Sequence, residues 1–113
     1  MARETILRAL EERRVLQITY GTDGMRVIQP HAILRKPDGT ELVEAYQMRG
    51  HSEGSGEQGW RHFNIGRISH AEPTEEHFEP RRDFRPISGR SGELLATVRT
   101  EEAERDSRFE IGD

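Results

Sequence analysis

The sequence predicts a mainly β protein: a small, partly open antiparallel β-barrel of the SH3-like or Sm-like kind, with about five strands preceded by one N-terminal α-helix. Three observations lead there. The opening residues carry apolar side chains at helical spacing, and the stretches after them alternate apolar and polar residues in short runs divided by Gly- and Pro-bearing turns. The chain has 113 residues, 32% of them hydrophobic and 34% charged, which fits one domain with one modest core.

Over residues 3–14, Ile6, Leu7 and Leu10 recur at helical spacing beside Ala9, with Glu4, Arg8, Glu11 and Glu12 on the remaining surface, the pattern of a short amphipathic helix. Residues 15–21, VLQITYG, alternate Leu16, Ile18 and Tyr20 against Gln17 and Thr19 and stop at the turn GTDG, a strand entering a hairpin. A second strand, MRVIQPHAILR (25–35), contains Pro30. Lacking an N–H, Pro30 is expected at an edge, a bulge or a strand break. KPDG (36–39) is a further turn, and TELVEAYQMR (40–49) a third strand. The glycine-rich stretch 50–59 is longer than a hairpin needs, which fits a lid as well as a plain connection. GWRHFNIGRI (59–68) is the fourth strand, ISHAEP (68–73) a short fifth, and TEEHF (74–78) a single helical turn capped by Thr74. Beyond it, EPRRDFRPISGRSG lacks periodicity and reads as extended or poorly ordered. The last stretch has one apolar run, Leu94, Leu95 and Val98, and a charged tail from Glu101. Residues 1–86 are expected to form the folded unit, a bound that rests on the family resemblance given below, and 87–113 a flexible C-terminal extension, acidic from 101.

Composition removes several kinds of chemistry. There is no cysteine, hence no disulfide, thiolate nucleophile or Cys-bearing zinc site. The charged N-terminus matches neither a signal peptide nor a membrane span, so a cytoplasmic location is expected. The net charge of -4 is carried by residues 101–113, which hold six acids and two arginines; the remainder has 15 acids and 15 bases. That balance gives no broad positive field for nonspecific duplex binding, and any anion recognition has to be local. Gly50-His51-Ser52-Glu53-Gly54 spells the GxSxG nucleophile elbow, but no helix can follow it in EGSGEQG. The five histidines form no recognised metal spacing. Neither a cofactor nor an enzymatic activity is expected.

The fourth strand poses the main functional question. With a two-residue period, Arg61 and Arg67 fall on the side of Phe63 and Ile65, two permanent cations along a core face. Their stems can pack while the guanidinium groups reach water or an anion. A bulge at Gly66 would turn Arg67 toward Arg26; ordinary salt bridges to Glu44 or Glu72 are the competing reading. His31, next to Pro30, reads first as a hydrogen-bonded structural group. Tyr20 and Tyr46 read as core or barrel-edge residues whose hydroxyls or rings could complete a polar site. Trp60, of opposite parity to Phe63, is expected to pack on the outer face or the helix, or to mark a partner surface.

The order of these blocks, a helix ending in ERRVLQITY, then RVIQPH, ELVEAYQ, a loop, GWRHFNIGRI and HAEPTEEHFEPR, resembles the WYL domain over residues 3 to about 86. The naming tripeptide falls on Glu41, Leu42 and Val43, where Trp and Tyr are replaced by Glu41 and Leu42. The resemblance implies a ligand-sensing barrel of bacterial transcription regulation, usually found behind a helix-turn-helix, with a basic pocket for nucleotides or single-stranded nucleic acid. By position, the pocket residues are drawn from Tyr20, Arg26, His31, Tyr46, Arg61 and Arg67. One short helix cannot supply a two-helix DNA reader, so the chain is expected to be a standalone sensor or accessory subunit in transcription regulation or in stress or phage-defence signalling. Expected partners are a nucleotide or single-stranded nucleic acid, with a homodimer or a separate DNA-binding protein beside it and no membrane. The alternative is a protein–protein interaction or oligomerisation module without a small ligand.

Overall fold

Ile6, Ala9 and Leu10 are the buried residues of helix α1 (Ala2–Glu12), so the apolar stripe expected from the spacing is the one that packs. The computed structural model describes residues 2–22, 24–50, 58–84 and 92–98. After α1, Arg13 takes a left-handed φ of 56° and its N–H donates to Leu10 O at 3.3 Å, a left-handed exit from the helix. The chain then enters β1 (Arg14–Tyr20), followed by β2 (Met25–Arg35), β3 (Glu41–Gly50), β4 (Gly59–Asn64), a 3₁₀ turn (Ile65–Arg67), β5 (Ile68–His77) and β6 (Glu93–Thr97).

All strand pairs are antiparallel. The main path runs β4-β3-β2-β1-β5, with β6 added to β2. The ends of that path do not pair, which leaves an open, barrel-like sheet behind one helix, as the alternation predicts. At the corner between β4 and β5 the open ends are tied to β1: Asn64 N–H donates to the Tyr20 hydroxyl at 3.0 Å, and Gly21 N–H to Arg67 O at 3.0 Å.

Strand β2 organises the rest. Its register with β3 passes from Pro30↔Ala45 directly to Ala32↔Glu44, leaving His31 as the extra residue of a bulge. Pro30 has no N–H to offer a ladder, so an interruption there is where its chemistry allows one. One edge of β2 pairs with β1 before the bulge and with β6 after it. Only the terminal residues Met25 and Arg35 of β2 are exposed. Ile28, Ile33, Val43, Ala45 and Phe63 are buried in a common core with Leu16, Ile18 and the helix residues Ile6 and Leu10.

Cross-strand partners share a face. Val43↔Phe63 and Ala45↔Arg61 therefore lie on one face of the sheet, and Glu44↔His62 and Tyr46↔Trp60 on the other.

Three expectations change. Residues 74–77 are not a helical turn but the continuation of β5, held by Arg14↔His77 pairing and by Thr74, whose hydroxyl donates to Val15 O at 2.8 Å. A neighbouring strand thus overrides a weak local helix signal. The strand expected over 59–68 ends at Asn64, whose side chain accepts from Gly66 N at 2.9 Å and starts the 3₁₀ turn. The apolar run at 94–98 supplies a sixth strand. The glycine-rich loop residues 51–57 and the tail from Glu101 lie outside the described residues. No described helix is long and apolar enough to cross a membrane.

Candidate ligand site

Tyr20 ends β1 on the core parity of Leu16 and Ile18, and its ring meets Phe63 edge-on with centroids 4.9 Å apart. Two arginines converge on that ring. The Arg26 Cζ is 5.5 Å from its centre and 5.6 Å from that of Phe63, and the Arg67 Cζ is 5.0 Å from the Tyr20 centre. Aromatic faces attract guanidinium groups through their quadrupole, so these rings orient both cations.

The two arginines arrive by different routes. Arg26 is buried, 7% exposed, and one terminal N–H donates to Gln47 Oε1 at 3.1 Å. Gln47 is itself fully buried and opposes Ile28 on β3. Arg67 is carried by the 3₁₀ turn and is exposed. Gly21 makes room for it: its φ is +54°, and a Cβ there would stand 2.9 Å from an Arg67 guanidinium nitrogen. A capped 3₁₀ turn, and not a bulge at Gly66, aims Arg67 at the Tyr20 ring.

Arg61 shares the face of Ala45 and Phe63. Its guanidinium folds back to donate to Trp60 O at 2.9 Å and lies over Gly59, which pairs across from Gln47, the partner of Arg26. Neither competing salt bridge is present: Glu44 bonds His62 at 3.2 Å, and Glu72 faces His70 at 3.8 Å.

His31 and Tyr46 belong to a different group. His31 is fully buried among Trp60, Phe78 and Phe84, with ring centroids 4.9, 5.2 and 5.0 Å away. Its Nδ1 lies 2.8 Å from Gln29 O, and its Nε2 accepts from Arg81 N at 3.0 Å. Burial holds its pKa below the ordinary 6.5, with Arg81 adding to the effect; the hydrogen bond to Gln29 and the Asp83 charge oppose it. Tyr46 meets Trp60 edge-on at 5.6 Å and carries the Arg81 guanidinium stacked at 3.5 Å. The six residues drawn from the sequence therefore divide. Tyr20, Arg26 and Arg67, with Arg61 alongside, occupy one face, while His31 and Tyr46 occupy the other. Arg81 and Asp83, which complete the second group, were not singled out by sequence, since they lie in a segment without periodicity.

The chain is a small β-rich domain, an open antiparallel barrel with two guanidinium groups gathered on one tyrosine. A family model, the WYL domain, matches residues 2–73, more than half of the 113 residues, and the chain belongs to that family of regulatory ligand-sensing domains. Comparison with curated proteins and with solved structures finds no match.

Proposed function

We propose that this chain is a non-enzymatic sensor that binds a phosphate-bearing ligand, a nucleotide or a single-stranded nucleic acid, at the Tyr20–Arg26–Arg67 group with Arg61 at its side. The convergence of Arg26 and Arg67 on one ring carries the reading. Two guanidinium groups held within 5.5 Å of one ring centre offer an anion two positive partners, and guanidinium groups match phosphate oxygens bidentately. The family's generally non-catalytic, regulatory character agrees, and so does the balanced charge of residues 1–100, which leaves recognition to a local site. The sensing serves transcription regulation or stress and phage-defence signalling in the cytoplasm.

The test is an amide NMR titration with a mixed-sequence DNA oligonucleotide, a matching RNA and a cyclic dinucleotide, at low and moderate salt. Shifts that gather around Tyr20, Arg26, Arg61 and Arg67 and saturate at moderate salt support the site. A folded Arg61→Ala/Arg67→Ala double variant with unchanged affinity refutes it.

A further inference from the structure

Residues 78–84, which leave β5, lie across the Tyr46–Trp60 face and are fastened at several points. Phe78 and Phe84 pack against the His31 ring, and Asp83 accepts from the Trp60 indole N–H at 2.9 Å. The Arg81 guanidinium rests on Tyr46 and reaches Gln29 Oε1 at 3.4 Å. At the centre, His31 bonds backbone groups through both ring nitrogens. A carbonyl can only accept and a backbone N–H can only donate. Gln29 O therefore requires a proton on Nδ1, and Arg81 N–H requires a lone pair on Nε2. Only neutral imidazole meets both demands.

We infer that His31 is a proton-operated latch: its neutral ring holds the strap of residues 78–84 on the sheet, and protonation at Nε2 releases the strap and uncovers Trp60 and Tyr46. The added proton points at the Arg81 N–H, so a hydrogen bond becomes a repulsive contact inside a buried site. Among the described residues, the charged groups facing His31 come from the strap itself, Arg81 opposing the imidazolium and Asp83 favouring it, and burial outweighs both. From the sheet side the ring meets Trp60, which is uncharged, and beyond it Tyr46. Glu44 and His62 on that face bond each other. On the β6 side, Val98 N–H and the Thr97 hydroxyl donate to His31 O. The bulge is what sets His31 apart from the β2–β3 ladder, free to take the strap as its partner. This device is independent of the ligand reading above.

The test is NMR on the full chain between pH 7.5 and 5, following His ring nitrogens, the Arg81 amide and the Trp60 indole N–H. The expected result is an Nδ1–H tautomer for His31 at neutral pH. On acidification, exchange protection at Arg81 and Trp60 should fall together by at least about tenfold while Ile18 and Ala71 in the β1–β5 ladder stay protected. His31→Gln, whose amide oxygen can still accept from Arg81, should abolish the step, and Asp83→Asn should keep it. An Nε2–H tautomer, loss of strap protection only together with the ladder, or an unchanged step in His31→Gln each overturns the latch. Should His31→Gln not fold, the tautomer and the order of protection loss in the natural chain decide the matter.

Discussion

The Arg81 amide donates to His31 Nε2 at 3.0 Å across 50 positions of sequence, so the neutral state of one histidine is bound up with the stability of the fold. Because its pKa is lowered from 6.5 in the folded chain, the unfolded chain binds more protons between the folded value and 6.5, and stability rises with pH there. The contribution is complete above 6.5 and is lost as pH falls below it. Urea denaturation at pH 7.5, 6.5 and 5.5 should give a falling midpoint, and His31→Gln should flatten that fall.

Phe63 is 2% exposed and supports both the Tyr20 edge and the Arg26 guanidinium. Phe63→Ala should cost about 3–5 kcal/mol in chemical denaturation, the loss expected for a large buried aromatic. Phe63→Leu, which keeps much of the volume, should cost less.

Tyr20 separates two roles. Tyr20→Phe removes the acceptor of Asn64 N–H and should destabilise by about 1 kcal/mol while leaving ligand affinity near that of the natural chain, because the ring that orients Arg26 and Arg67 remains. Tyr20→Leu removes the ring and should weaken binding in an isothermal titration. Equal affinity for the two variants would count against the ring's part in the site.

Gly92 has a φ of +133°, and a Cβ on it would stand 2.4 Å from Arg35 O. Backbone cannot yield as a flexible side chain can, so Gly92→Ala should detach β6 from β2. The expected signature is faster exchange of the Val98 amide, which donates to His31 O at 2.7 Å, with β1–β5 protection retained.

Periodicity made much of this architecture legible. Ile6, Leu10, Leu16, Ile18 and Phe63 face inward as their spacing predicts, and Pro30 announced an irregularity that the register confirms. Local signals misled where a distant partner decided the outcome. Residues 74–77 took strand form by pairing with β1, and the isolated run at 94–98 had no readable partner until β2 supplied one. The alternation of Phe63, Ile65 and Arg67 concealed the end of β4, although Asn64 was a cap in plain view. The division of the candidate site follows from register. Tyr46 stands opposite Trp60, and which residues of two strands meet depends on loop geometry that composition does not specify.

The junction of β6 with β2 also governs how the molecule behaves toward its own kind. Ala32, Ile33 and Leu34 are an apolar run whose backbone edge is taken up by Thr97, Ala96 and Leu94. Uncovered, that edge would be a row of unsatisfied amides and carbonyls beside greasy side chains, a template for a strand from another molecule. By filling the place itself, β6 keeps that edge from pairing with a strand of another molecule, and a chain shortened before Gly92 should self-associate more readily than the full chain in sedimentation velocity.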